Sequence, residues 1–170
     1  MTSLLNVWYN IRIIGGDSLS VIVEFTVDEE LFIPQKQHES DAGFDLKASH
    51  DFFIHEGDTL VIDCGFSMAV PDGYKALILP RSGLALKYDI TVLNAPGLID
   101  SGYRGRVKVI LHRMLRGGDT HSSKAIRFNK GDRIAQLVFE KDLSSLVTLK
   151  QVLSLPNSDR GENGFGSTSI

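Results

Sequence analysis

Apolar and polar residues alternate along much of this chain. Over residues 21–27 (VIVEFTV), Val21, Val23, Phe25 and Val27 fall on one face, a period of two that predicts a strand. Val107, Val109 and Leu111 repeat the pattern over 106–112, and 59–70, 75–79, 90–93 and 134–140 are further β-rich runs. Turn formers stand between them: Glu56-Gly57, Asp72-Gly73, Gly117-Gly118-Asp119 and Lys130-Gly131-Asp132. No segment carries a long amphipathic helical period. The helix candidate is short, 83–87 (GLALK) with an extension to Tyr88. Strands do not alternate with long helices, which argues against a Rossmann-like sheet. The expected class is all-β, mostly antiparallel: a sandwich, jelly roll or barrel.

The two ends break the pattern. Residues 1–20 read as an extra strand entering a turn at Gly15-Gly16-Asp17-Ser18, an N-terminal extension without an assigned role. Residues 157–170 are polar and glycine-rich and predict a mobile tail. Between them, 21–156 is expected to form one domain.

Composition narrows the class. The 170 residues are one domain's worth and bury a core without disulfides. At 42% hydrophobic and 23% charged, the chain is neither disordered nor a disulfide scaffold. With 18 basic and 21 acidic residues the net charge is −3, which points away from a nucleic-acid binder but leaves room for a small anionic ligand held by local cations. Cys64, the single cysteine, fits a reducing compartment and excludes a paired-cysteine zinc site. No apolar run is long enough for a membrane span, and the first fourteen residues, broken by Asn6, Asn10 and Arg12, do not read as a signal peptide. A cytoplasmic protein is expected.

The five histidines, His38, His50, His55, His112 and His121, form no ligand pair and read as surface or turn residues. No GxSxG elbow is present. The tail, 160–169 (RGENGFGSTS), lacks the lysine of a phosphate loop and has no helix after it. It nevertheless combines an arginine, an aromatic ring, glycines and hydroxyls, the parts needed to close over an aromatic anion. Residues 80–85 (PRSGLA) put Arg81 and Ser82 before a glycine-opened helix start. That suits phosphate, but taken by itself the segment reads rather as an ordinary helix cap with an exposed arginine. In 94–105 (NAPGLIDSGYRG) a hairpin with Pro96-Gly97 precedes Asp100, with Tyr103 three residues on. Asp100 can serve as a general base toward water and the Tyr103 ring as a steric wall; a solvated aspartate and a core tyrosine at a plain turn fit the same letters.

Five segments occur in order: 41–48 (DAGFDLKA), 80–85, 94–105, 131–139 (GDRIAQLVF) and 160–169. Together they resemble the five motifs of the homotrimeric dUTPases, over about 21–169. The resemblance implies a jelly-roll-like β-barrel with one short helix and a flexible C-terminal tail. It also implies a homotrimer with three shared active sites and hydrolysis of dUTP to dUMP and pyrophosphate with Mg²⁺, which removes dUTP and yields dUMP for thymidylate synthesis.

By this similarity Asp100 activates water for attack on the α-phosphorus, and a carboxylate needs no upward tuning to accept a proton at neutral pH. Asp45 matches the first-motif aspartate that supports the catalytic water and the metal's surroundings. No side chain is expected to ligate Mg²⁺ directly, since the triphosphate and water hold it. Arg81, Ser82, Gly83 and Gln136 match phosphate-contacting positions, and Arg160 the tail arginine that reaches the γ-phosphate. Asn94, Gly97 and Ile99 belong to the segment that reads uracil, and Tyr103 packs beneath the deoxyribose where a 2′-hydroxyl would clash. Phe165, Gly166 and Ser167 belong to the lid, with Phe165 stacking on the base.

Three positions depart from the family pattern. Asn163 replaces a glycine, Arg106 replaces a commonly acidic residue with an expected change in a subunit contact, and residues 1–20 have no counterpart. Two other readings carry weight: a dCTP deaminase relative, opposed by Asp100 and Tyr103, and a dUTPase-fold protein with an added regulatory protein-binding role.

Overall fold

The period-two segments form the long strands of the structure, a computed structural model that describes residues 9–14 (as backbone), 20–115 and 124–162. Strand β1 is Tyr9–Ile14 and β2 is Ser20–Val27. In β2, Val23 and Phe25 are buried while Ile22, Glu24 and Thr26 face solvent. The remaining strands are β3 (Phe44–Lys47), β4 (Phe52–Ile54), β5 (Thr59–Ala69), β6 (Tyr74–Leu79), β7 (Ile90–Val92), β8 (Gly97–Ile99), β9 (Arg106–Arg113), β10 (Ile126–Phe128) and β11 (Arg133–Lys141). One α-helix, α1 (Ser82–Tyr88), lies where the sequence pattern puts it, and Asp89 ends it in the left-handed conformation.

Three sheets enclose the core. One runs β1-β2-β5-β9-β7, a second β3-β11-β6-β8, and a ribbon pairs β10 with β4. All pairings are antiparallel. Val107, Val109 and Leu111 of β9 meet Cys64, Phe66 and Met68 of β5 and Leu46, Ile134 and Leu137 of the second sheet in one apolar core. The all-β, jelly-roll-like expectation holds. Burial of this apolar surface is the main favourable contribution to folding. Burial also pushes the Cys64 thiol well above its ordinary pKa, which keeps it neutral.

Two local features differ from the sequence reading, and one bears it out. The segment 94–100 is not a two-stranded hairpin: β7 pairs with β9 and β8 with β6, so the turn passes from one sheet to the other. Strand β1 pairs with β2 from Tyr9 opposite Phe25 to Ile14 opposite Ser20, so the extra strand expected in 1–20 is present, as an edge strand of the larger sheet. After β11 ends at Lys141 the chain to residue 162 adds one short 3-10 turn, Ser144–Leu146, and leaves Val147, Leu149, Leu153 and Leu155 largely exposed. Within 157–170, residues 163–170 lie outside the described residues, Phe165, Gly166 and Ser167 among them.

Strand β5 carries a bulge. Its register with β9 shifts between Asp63 and Ser67, at Gly65. Gly65 has φ +78°, and a Cβ there would fall 2.4 Å from the Phe32 ring, so both backbone and space require glycine.

Candidate active site

Cross-strand register brings three of the five motif segments together. Gln136 of β11 lies opposite Asp45 of β3 on one side and opposite Leu79 of β6 on the other. Arg81 follows two residues after Leu79, at the entry to α1. Asp45, Arg81, Ser82, Gly83 and Gln136 therefore line one cleft of about 340 Å³, with Gln37 and Asp41 from the loop before β3.

Asp45 and Arg81 are already paired in this cleft. Arg81 Nε lies 3.2 Å from Asp45 Oδ1, and Arg133 Nη1 donates to Asp45 Oδ2 at 3.2 Å. Arg81 Nη1 donates to the Arg133 carbonyl at 2.8 Å, and Gln136 Nε2 to the Pro80 carbonyl at 2.9 Å. Asp45, with 12% of its side chain exposed, sits between two guanidinium groups and holds them beside the cleft. Such charge-assisted pairs orient a planar fork for phosphate oxygens.

Arg133 was not among the residues singled out by sequence. In a regular strand Arg133 and Gln136 point to opposite faces. A register shift between Arg133 and Ala135 breaks that alternation and lets both reach the same neighbourhood. The usable signal was an arginine beside Asp132 in a motif already chosen.

The other site residues form a second cleft, of about 190 Å³. Asn94, Gly97, Ile99, Asp100 and Tyr103 line it, with Ile78 and Arg106. Strand β8 holds Gly97 opposite Ile78 and Ile99 opposite Ala76. A turn from Asp100 to Tyr103 follows, closed by the Tyr103 N–H donating to the Asp100 carbonyl at 3.1 Å. Asp100 is exposed, and its carboxylate has no hydrogen-bond or ion-pair partner among the described residues. The Tyr103 ring folds back over Gly105, where a Cβ would fall 2.4 Å from its hydroxyl. That hydroxyl donates to the Arg106 carbonyl at 3.0 Å.

Asp100 and Arg81 lie toward opposite ends of β6. Asp100 follows Ile99, which is paired with Ala76, whereas Arg81 lies five residues beyond Ala76 along the chain. At the rise of an extended strand that separation is roughly 16 Å. Arg160 lies in the exposed C-terminal segment and lines neither cleft.

Among the described residues no three His, Cys, Asp or Glu side chains cluster to hold a metal ion. His38, His50 and His55 are exposed; His112 Nδ1 is 3.0 Å from the Thr59 hydroxyl, and His121 lies outside the described residues. No helix among the described residues is long and apolar enough to cross a membrane.

Comparison with known proteins gives a consistent result. A family model described as dUTPase matches residues 29–169. The chain is 42% identical over 144 residues to the deoxyuridine 5′-triphosphate nucleotidohydrolase of Clostridium acetobutylicum, covering 85% of this chain and 93% of that protein. It is 40% identical over 142 residues to the enzyme of the same name from Streptomyces avermitilis, covering 84% and 77%. Among solved structures, a Staphylococcus bacteriophage 80alpha dUTPase G164S mutant with dUpNHpp superimposes with a TM-score of 0.73 at 25% identity, covering 87% of this chain and 98% of that one.

Proposed function

The chain belongs to the dUTPase family and hydrolyses dUTP to dUMP and pyrophosphate, and on that premise we propose that its two clefts are the nucleoside and phosphate halves of active sites shared between protomers. The separation along β6 carries this reading. The phosphorus attacked at Asp100 and the phosphate oxygens held at Arg81 belong to one triphosphate, whose successive phosphorus atoms are only a few ångströms apart. The Arg81 cleft of the same protomer is too far along β6 to take those oxygens. The Arg81 cleft of a neighbour meets the requirement in a closed symmetric assembly, here a homotrimer.

In the nucleoside half, Asn94 and the backbone from Gly97 to Ile99 pair with the uracil edge. Cytosine places an amino donor where uracil has a carbonyl acceptor, and leaves a site donor unpaired. Tyr103 forms the wall under the sugar, so that a 2′-hydroxyl meets the ring. Asp100 takes the proton of the attacking water as oxygen approaches the α-phosphorus in line with the departing pyrophosphate. Its lack of a partner among the described residues supports that role, because a carboxylate held by a cation is a poorer base.

In the phosphate half, Arg81, Ser82, Gly83 and Gln136 take the oxygens of the leaving pyrophosphate. Asp45 keeps the guanidinium of Arg81 aimed and borders the metal's surroundings. Mg²⁺ bound through the triphosphate would supply charge neutralisation there, with Asp45 bordering it and no side chain of the cleft ligating it. The donor set fits that arrangement, since guanidinium groups engage both Asp45 oxygens. Arg160 and the lid residues Phe165, Gly166 and Ser167 close over the bound nucleotide from the C-terminal segment. The buried, neutral Cys64 supports a reducing, cytoplasmic setting.

Complementation tests the shared site. Asp100→Asn and Arg81→Ala homotrimers are each expected to be nearly inactive. Mixing them through reversible unfolding restores about a quarter of the wild-type sites when each site draws the two residues from different protomers. No recovery on mixing assigns both residues to one protomer and overturns the shared site.

A further inference from the structure

Arg106 departs from the acidic residue common after the YRG of the family pattern, and the fold explains what the arginine does here. Its guanidinium is used on both edges. Nε and Nη2 donate to the Asp63 carboxylate at 3.2 and 2.9 Å, while Nη1 and Nη2 donate to Asp28, the first at 2.8 Å. Asp28 follows the end of β2 and gives its N–H to the Gly65 carbonyl at 3.0 Å; Asp63 accepts the Gly65 N–H at 2.7 Å. One side chain thus ties the start of β9 to the end of β2 and to the bulge of β5.

The main chain of the same residue reaches the site. The Arg106 carbonyl accepts the Tyr103 hydroxyl, and the Tyr103 ring lies over Gly105 between them. Arg106 itself borders the cleft that holds Asp100 and Tyr103. Tyr103, 45% exposed, has little core packing to hold its ring in one place. Its position is set by a hydrogen bond to a carbonyl at the start of β9, which pairing with Ser67 and the Arg106 clasp together hold in place.

We propose that Arg106, held by Asp28 and Asp63, is a positioning residue for Tyr103 and so for discrimination against ribonucleotides. The inference rests on the reading of Tyr103 as the wall beneath the sugar. A wall rejects a hydroxyl only if it stays in place. A ring free to tilt by an ångström admits the 2′-hydroxyl at little cost while dUTP still binds. Loosening the clasp therefore raises activity on UTP relative to dUTP more than it lowers turnover of dUTP.

The test measures kcat and KM for dUTP and UTP, and thermal unfolding, in full-length Tyr103→Phe, Arg106→Gln and Arg106→Lys, the double variant Tyr103→Phe/Arg106→Gln, and Tyr103→Ala. Tyr103→Phe, which removes one neutral hydrogen bond, is expected to lower the dUTP/UTP ratio of kcat/KM about fivefold. Arg106→Gln, which leaves two carboxylates facing each other, is expected to lower it about fivefold, as Tyr103→Phe does, chiefly through the UTP value. Arg106→Lys keeps the charge without the double fork and falls between wild type and Arg106→Gln. The double variant resembles Arg106→Gln alone, because both changes loosen the same ring. If Arg106→Gln does not fold, Asp28→Asn removes the exposed arm of the clasp, and a two- to threefold fall is expected (roughly half the clasp's effect in free energy). An unchanged ratio in Arg106→Gln, or in Asp28→Asn where that replaces it, overturns the proposal while a collapse in Tyr103→Ala leaves the wall standing. Strictly additive effects in the double variant also overturn it. An unchanged ratio in Tyr103→Ala removes the wall itself and the inference with it.

Discussion

The two clefts are built in opposite ways. In the proposed phosphate cleft, Arg81, Arg133, Asp45 and Gln136 are engaged with one another or with backbone carbonyls; Asp45, Arg133 and Gln136 come from the paired strands β3 and β11, and Arg81 follows β6 at the entry to α1. In the proposed nucleoside cleft, Asp100 stands exposed at a turn without a side-chain partner among the described residues, and the Tyr103 hydroxyl makes one hydrogen bond, to the Arg106 carbonyl. Preorganised cations cost no reorganisation when an anion arrives, whereas a base must keep its lone pairs available. Substitutions in the first cleft should therefore disturb fold and binding together, and substitutions in the second chemistry or selectivity alone.

The largest expected effect is that of Asp100→Asn. Turnover of dUTP falls by about 10²–10⁴ while dUTP binding and the unfolding temperature stay near wild type. Steady-state kinetics beside calorimetric binding checks this, and substantial remaining turnover removes Asp100 from the base role. Deleting residues 160–170 is next. Because the described part of this segment is exposed, a folded assembly is expected with kcat lowered by about 10²–10³. Size-exclusion chromatography with pyrophosphate release separates that outcome from loss of fold.

Arg81→Ala is expected to lower kcat/KM by about 10²-fold and also to lower the unfolding temperature, since Asp45 loses one of its two guanidinium partners. An unchanged unfolding temperature breaks the contrast between the clefts. The smallest effect is one of pH and stability at the clasp. Burial raises the Asp63 carboxyl, but the hydrogen bonds from Arg106 and the Gly65 N–H outweigh it and leave the pKa below the ordinary value. A depressed pKa stabilises the fold above the unfolded value, and that stability is lost as pH falls through the folded one. Asp63→Asn should lower stability at neutral pH and flatten the acid limb of the stability curve, measured by denaturant unfolding at several pH values.

Much of the architecture was legible before any coordinates. Val21 to Val27 and Val107 to Leu111 announce strands because one buried face repeats every two residues, and α1 follows from a short run of helix formers after Arg81. The short strands were not legible. Phe44–Lys47, Phe52–Ile54, Gly97–Ile99 and Ile126–Phe128 span too few residues to show a period, and distant partners hold them in place. The hairpin expected at 94–100 fails for the same reason: Pro96-Gly97 marks a turn but cannot say which sheet the next strand joins.

The sequence by itself determined the all-β class, the order of the five motifs and the chemical type of nearly every site residue, because these depend on local period and side-chain identity. Only tertiary structure decided how they are grouped. Register across β3, β11 and β6 gathers Asp45, Gln136 and Arg81, and a bulge adds Arg133. The length of β6 keeps Asp100 away from them, and the strand ends bring Asp28 and Asp63 to Arg106. Those groupings rest on pairings between residues far apart along the chain, which leave no periodic mark in the letters near either partner.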